Sequence, residues 1–276
     1  MQLSQHPIVV GVDESDGAHS ALSWAAHDAA ARNAPVRAVC AYHGSDEAAR
    51  LAERLIADAT DYVKAIQPDV VAEGATIEGD AVHVLVDESK RARVVVVGAS
   101  RRKGLGSSAL GSVTGAVAAH SEAPVIALCG PAGLTVEGAA VVVGVDGTHA
   151  SHDLLAFGFE HADVHQTALR AVLCWYPDLL ASMSWRADPP PPESVDAWLS
   201  TTVADLQEKY PNVRVHPEVV RDHPKTGLLK ASEEQYLLVV GTRGKHAHSG
   251  VLLGGVSQRV LHHATCPVAV VPTHRG

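Results

Sequence analysis

The chain is built from short apolar runs that alternate with longer amphipathic stretches. Ile8–Val12 is a block of buried-strand type that ends at Asp13, and Ser15 or Asp16 can cap a helix continuing through Ala18–Arg32. Pro35 precedes a second apolar run, Val36–Tyr42. A charged, Ala- and Leu-rich helix then spans Glu47–Ile66 and stops before Pro68. Val70–Ile77 reads as a third strand, weakened by Gly74, and Asp80–Arg91 as a helix with Val82, Leu85 and Val86 on its apolar face. Val94–Val97 is the fourth strand, Ser112–His120 the last helix and Pro124–Leu128 the last strand. The order βαβαβαβαβ calls for a parallel sheet with helices on both faces.

The pattern then restarts. Gly130-Pro131-Ala132-Gly133 has linker composition, and Val141–Thr148 repeats Ile8–Ser15 with Asp146 on Asp13, an offset of 133 residues. The same offset lays Arg170-Ala171-Val172 on Arg37-Ala38-Val39. Beyond the second strand the offset becomes 143, with Gly241 on Gly98, Gly254 on Gly111, His263 on His120 and Pro267 on Pro124. The second copy therefore holds ten extra residues. They are assigned to the Pro-rich stretch Tyr176–Pro192, read as a surface loop because a proline run is neither helix nor central strand. The chain is thus expected to form two domains, 1–130 and 139–276, joined by a linker at 131–138.

Candidate chemistry sits at matched positions in both copies. Leu237–Val240 ends in Gly241, a loop carries Gly244 and Gly250, and Gly254-Gly255-Val256-Ser257 opens a helix. Its counterpart is Val94–Val97, then Gly98-Ala99-Ser100-Arg101, with Gly111-Ser112-Val113-Thr114 opening the helix. Strand, glycine loop and helix N-terminus together cradle a phosphate, because glycines admit the anion and first-turn N–H groups point at it. In an open parallel sheet ligands sit outside the carboxyl ends of the strands, where the strand order reverses. Asp13 and Asp146, after each first strand, can accept hydrogen bonds from a nucleoside there. For a single copy the bland alternative is an Asp that brackets a helix and an ordinary strand-to-helix turn; its recurrence twice favours a nucleotide.

The segments VGVDES and VGVDGT, the G-x2-G-x9-G-[ST] spacing, and the endings GSVTGAV…APVIAL and GGVSQRV…CPVAVV resemble a tandem universal stress protein over nearly the whole chain. The resemblance implies, in each half, an open five-stranded parallel sheet of order 3-2-1-4-5 with helices on both faces, the adenine-nucleotide alpha-hydrolase-like fold. It implies a site for ATP, with or without Mg, in each half, with AMP or a cyclic nucleotide as alternatives. The implied contacts in the first half are Gly11, Val12, Asp13, Ala41, Gly98, Arg101, Gly111, Ser112, Val113 and Thr114. Those in the second are Gly144, Val145, Asp146, Cys174, Gly241, Arg243, Gly244, Gly254, Gly255, Val256 and Ser257. It further implies a homodimer through the last strands, a protein partner of unknown identity, and a regulatory rather than metabolic role.

Neither copy matches the motif fully. Arg101 stands where the family has its second glycine, at a cost of ~1 kcal/mol if positive φ is needed, although its guanidinium can itself bind phosphate. Gly255 replaces the Ser/Thr and loses one hydroxyl, ~1 kcal/mol of net binding, which Ser257 could partly replace, as Thr114 could in the first copy. The second site is expected to be the better binder.

Composition narrows the alternatives. A formal charge of −9 argues against a nucleic-acid backbone binder, and no apolar run approaches the ~20 residues of a membrane span. With no signal-peptide pattern in MQLSQHP, the expected location is the cytoplasm. Cys40, Cys129, Cys174 and Cys266 form no C-x-x-C pair and read as buried reduced thiols. The 17 His residues, including His149, His152, His161 and His165, show no convergent metal set and read as surface residues. His246 and His248, in the glycine loop, are the exception, since a histidine near phosphates would make binding pH-sensitive. No G-x-x-x-x-G-K-[ST] or G-x-S-x-G element occurs, so a non-enzymatic binder is expected. The rivals are a nucleotide-independent scaffold with decayed sites and a very slow hydrolase using Asp13 or Asp146 to orient water.

Overall fold

The computed structural model describes residues 6–99, 111–129, 138–175, 192–242 and 253–273. It divides into two compact units, Met1–Leu134 and Thr135–Gly276. The first contains β1 (Ile8–Gly11), α1 (Asp16–Arg32), β2 (Val36–Tyr42), α2 (Asp46–Ile66), β3 (Ala72–Glu78), α3 (Ala81–Ser89), β4 (Val94–Gly98), α4 (Ser112–His120) and β5 (Val125–Leu128). Its strands lie in the order β3-β2-β1-β4-β5 and every pairing between neighbours is parallel. The second contains β6 (Val141–Val145), α5 (Ala150–Val164), β7 (Leu169–Cys174), α6 (Pro192–Lys209), β8 (Val215–Val220), α7 (Pro224–Ala231), β9 (Leu237–Gly241), α8 (Gly255–His263) and β10 (Val268–Val271). Its order, β8-β7-β6-β9-β10, is the same topology, again all parallel.

The central strands are near-continuous valine, isoleucine and leucine because both their faces are covered. Ile8, Val9, Val10, Val95 and Val96 are fully buried, as are Val141, Val142, Val143, Leu237, Leu238 and Val239. Each such side chain contributes about 1.5–3 kcal/mol over an exposed one. The α1 helix lies against its sheet through Ala18, Ala21, Leu22, Ala25 and Ala29. It starts at Ser15, whose hydroxyl accepts from the Ala18 N–H at 3.3 Å, and closes at Asn33 with φ 52°. Gln166, at the matched place after α5, has φ 51°.

Three expectations change. The third strand is shifted to Ala72–Glu78, and Gly74 is no weakness there. A Cβ at that position would stand 2.2 Å from Ile56 Cγ2, so the absent side chain is what lets α2 pack on β3. The buried face of α3 is Val84, Leu85 and Ser89 rather than Val82, Leu85 and Val86. Of the Pro-rich stretch, 176–191 lies outside the described residues, but Pro192 is helical and begins α6. Proline is tolerated there because first-turn N–H groups have no intrahelical acceptor.

Matched arginines tie the second strand to the third helix in different ways. Arg37 of β2 donates to both carboxylate oxygens of Glu88 in α3, at 2.7 and 3.0 Å. Arg170 of β7 donates to Glu218 of β8 at 2.7 Å and to the Ala231 carbonyl at the end of α7 at 2.8 Å.

None of the four cysteines forms a disulfide, and all are buried. Burial pushes the Cys174 thiol up to about 12 and that of Cys266 to about 11. A thiol that ionises later in the folded chain than in the unfolded one contributes stability that is intact below its unfolded value of 9.0 and lost as pH rises through the folded value. Ellman's reagent at pH 8 should react slowly with the native protein and with four thiols after denaturation, and the urea midpoint should fall between about pH 9 and 12. Rapid native reaction of Cys174 or Cys266 would contradict this burial.

Candidate functional site

The strand order reverses between β1 and β4, and between β6 and β9. In the first unit Val10 is in register with Val96, which carries Val12 to the level of Gly98 and Asp13 one residue beyond it. In the second unit Val143 is in register with Val239, so Val145 comes level with Gly241 and Asp146 stands one residue further. Each carboxylate is thus brought beside the end of its fourth strand, at the carboxyl edge of a parallel sheet.

The helices entered from the fourth strands start differently from most others in the chain. The N-termini of α1, α2, α3 and α7 are capped by Ser15, Ser45, Asp80 and His223. The α4 and α8 helices begin at Gly111 and Gly254 with no side-chain cap and no acidic residue in the first turn. Their first-turn amides at Ser112 and Val113, or Gly255 and Val256, have no intrahelical acceptor and lie at the positive end of a helix dipole. The α5 helix also lacks a side-chain cap, but it starts from the turn that Asp146 organises.

One hydroxyl anchors each of these helices to the strand before it. Thr114 donates to the Gly98 carbonyl at 3.1 Å, and Ser257 donates to the Gly241 carbonyl at 2.5 Å. Both side chains are buried. Their donors are spent on the strand end, so what they do is hold the helix start in place. In the second unit the Gly254 N–H adds a 2.7 Å bond to the Thr242 carbonyl.

The two carboxylates are held with different rigidity. Asp13 is exposed, and its Oδ1 accepts from the Ser15 N–H at 3.0 Å and from the Ser15 hydroxyl. Asp146 is half-buried, and its Oδ1 accepts from the Thr148 N–H at 3.0 Å, the Thr148 hydroxyl at 2.6 Å and the Ser151 hydroxyl at 3.1 Å. Ser151 closes the ring by accepting from the Asp146 N–H at 3.2 Å. Its counterpart in the first unit is Ala18, which has no hydroxyl to offer. Ser15 and Thr148 lie two residues after their aspartates and are the legible part of this motif; Ser151 shows only when the helix places it.

The flanking glycines are demanded by packing. A Cβ on Gly11 would stand 3.1 Å from Leu85 Cδ1, and one on Gly144 would stand 2.9 Å from Leu228 Cδ1. The matched leucines of α3 and α7 therefore occupy the same niche. Gly98 is tighter still, since a Cβ there would lie 2.4 Å from the backbone carbonyl carbon of Gly17 at the start of α1. Val12 and Val145 are buried, Ala41 is half-buried at the end of β2, and Cys174 is buried at the end of β7. Arg101, Arg243 and Gly244, with His246 and His248, lie outside the described residues or their described side chains.

The structure corrects one histidine and adds a lysine. His161 is buried rather than a surface residue: its ring lies 4.5 Å from Phe157 and 5.9 Å from His165, which in turn packs 5.0 Å from Tyr236. The face of α5 that carries it also buries Leu154, Leu155, Gly158 and Ala162. Lys225, in the first turn of α7, reaches the first residue of α8: its Cε and Nζ are 3.4 Å from the point a Cβ of residue 255 would occupy. No sequence signal marked it, because the contact depends on how two helices that are 30 residues apart in sequence are placed.

The sequence profile of the universal stress protein family matches residues 5–128 and again 139–272. The chain belongs to that family. Among its relatives is a universal stress protein of Mycobacterium tuberculosis, 34% identical, with the alignment covering 95% of each chain. The fold of a universal stress protein from Archaeoglobus fulgidus superposes with a TM-score of 0.77 at 17% identity, covering 99% of both chains. A half-length universal stress protein from the same organism, 26% identical over 44% of this chain and 96% of its own, was solved in complex with dAMP at a TM-score of 0.38. The α/β fold, the parallel sheet and the tandem organisation are those of universal stress proteins.

Replacing Gly98 with alanine should drive the start of α1 off β4. Overpacking of this kind costs about 1–3 kcal/mol, a fall of several degrees in the melting temperature. An unchanged melting temperature would mean that the contact between Gly98 and Gly17 yields freely.

Proposed function

We propose that the protein is a non-catalytic, ATP-binding universal stress protein with one nucleotide site per half, the second site being the stronger. The observation that carries this is the pairing, in both units, of an uncapped helix start with a turn-locked carboxylate at the point where the strand order reverses. The amides of Ser112 and Val113, or of Gly255 and Val256, would take phosphate oxygens, and Asp13 or Asp146 would accept from nucleoside hydroxyls. A carboxylate oxygen already tied to two hydroxyls and an amide, as in Asp146, suits a fixed acceptor better than a mobile base. The same fixation favours the second site, because less ordering remains to be done on binding.

No described helix is long and apolar enough to cross a membrane. The cytoplasm is the proposed location, and a homodimer through the last strands, read by a protein partner, the proposed working form. Occupancy would change the charge and shape of the crevice at each strand-order reversal, giving a partner a surface that depends on bound nucleotide.

The direct test is to denature the purified protein and identify released small molecules by mass spectrometry, then to titrate ATP by calorimetry. ATP should be found, and Asp146→Ala should weaken its binding about tenfold, more than Asp13→Ala does. Protein that is empty and ignores millimolar ATP would overturn the nucleotide reading and leave the scaffold role. Phosphate release that disappears in Asp146→Ala would make it a slow hydrolase instead.

A further inference from the structure

The two phosphate-side helix starts have exchanged one kind of donor for another. In the first unit, α4 opens with Ser112, and the residue one place into α3 from its start is Val82. At the matched places in the second unit stand Gly255 and Lys225. The hydroxyl has gone from the helix start, and an ammonium has come to its side, 3.4 Å from where a side chain at 255 would begin.

That ammonium is placed against its electrostatic preference. The N-terminus of a helix carries partial positive charge, which favours anions and disfavours cations. The first turn of α8 has no acidic residue to compensate it. Asp222, three residues before Lys225, is bound instead by Lys230 at 2.9 Å and by the His223 N–H. Among the described residues Lys225 makes no ion pair. A cation and a helix start that face one another without an acid between them have the charge arrangement of an anion site, with the ligand supplying the negative charge.

We propose that Lys225 reads phosphate charge in the second site, its ammonium replacing the hydroxyl that Gly255 lacks, so that this site selects nucleoside triphosphates over mono- and cyclic phosphates. The proposal rests on the nucleotide reading above and deepens it for one half of the chain. A serine hydroxyl offers one directional hydrogen bond, whatever the length of the phosphate chain. A lysine ammonium is a point charge on a flexible stem, and its attraction grows with the number of charged oxygens within reach. Being exposed, it is also open to screening by salt, which a hydroxyl is not.

The test compares ATP and AMP by calorimetry on the full chain, at two ionic strengths, for wild type, Lys225→Gln, Lys225→Arg and Asp146→Ala. Lys225 is exposed, so its variants should fold, and circular dichroism checks this. Lys225→Gln should weaken ATP about tenfold, change AMP less than about twofold, and flatten the salt dependence of ATP binding. Lys225→Arg should keep affinity for ATP near that of wild type. Adding Gly255→Ser to Lys225→Gln should return part of the ATP affinity with a flat salt profile. If Lys225→Gln shifts ATP and AMP equally, or shifts neither while Asp146→Ala still weakens binding about tenfold, the nucleotide site stands and the role of Lys225 falls. If wild type binds neither nucleotide, both fall together.

Discussion

Everything that qualifies as a site depends on the parallel pairing of the first strand with the fourth. That pairing, β1 with β4 and β6 with β9, sends the chain to opposite sides of the first strand and opens a crevice at the carboxyl edge. It also fixes a register, which brings Asp13 and Asp146 beside Gly98 and Gly241. The leucines that sit on Gly11 and Gly144, and the hydroxyls that lock α4 and α8 to their strands, maintain that register from either side. Without it the carboxylate and the first-turn amides would belong to unrelated parts of the surface.

Duplication makes this arrangement readable as a controlled comparison. Both halves keep the scaffold of the site: the uncapped glycine start, the hydroxyl on the strand-end carbonyl, the aspartate and the hydroxyl two residues after it. The differences lie around that scaffold. One aspartate is exposed with a single hydroxyl partner, and the other is half-buried with two. One helix start has a serine, and the other has a lysine beside a glycine. Common geometry with unequal charge and rigidity is what is expected when two sites have been tuned apart.

The architecture is almost wholly legible in the sequence, because buried parallel strands leave apolar blocks and their helices leave capped, amphipathic ones. Val36–Tyr42 and Ser112–His120 have the bounds that the pattern predicts. Departures arise where a residue's meaning is set by a distant neighbour. Gly74 reads as a flaw in a strand until Ile56 is placed over it, and His161 reads as a surface residue until its helix face is turned inward. The site is half legible. Asp13, Asp146 and the glycines announce themselves by spacing, whereas Ser151 and Lys225 act through contacts that no local pattern encodes.

The arginines of the second strands carry a consequence for how such halves can recombine. Arg37 finds its carboxylate on the helix after β3, while Arg170 finds one on β8 itself and a bare carbonyl at the end of the next helix. A graft of α3 alone into the second half would set Glu88 beside Glu218, two acids around one guanidinium. A graft of α7 alone into the first half would remove the carboxylate to which Arg37 is hydrogen-bonded. Exchange between the halves is therefore viable only in blocks that move the second strand, the third strand and the third helix together. The ancestral unit has become two versions whose third helices no longer interchange singly.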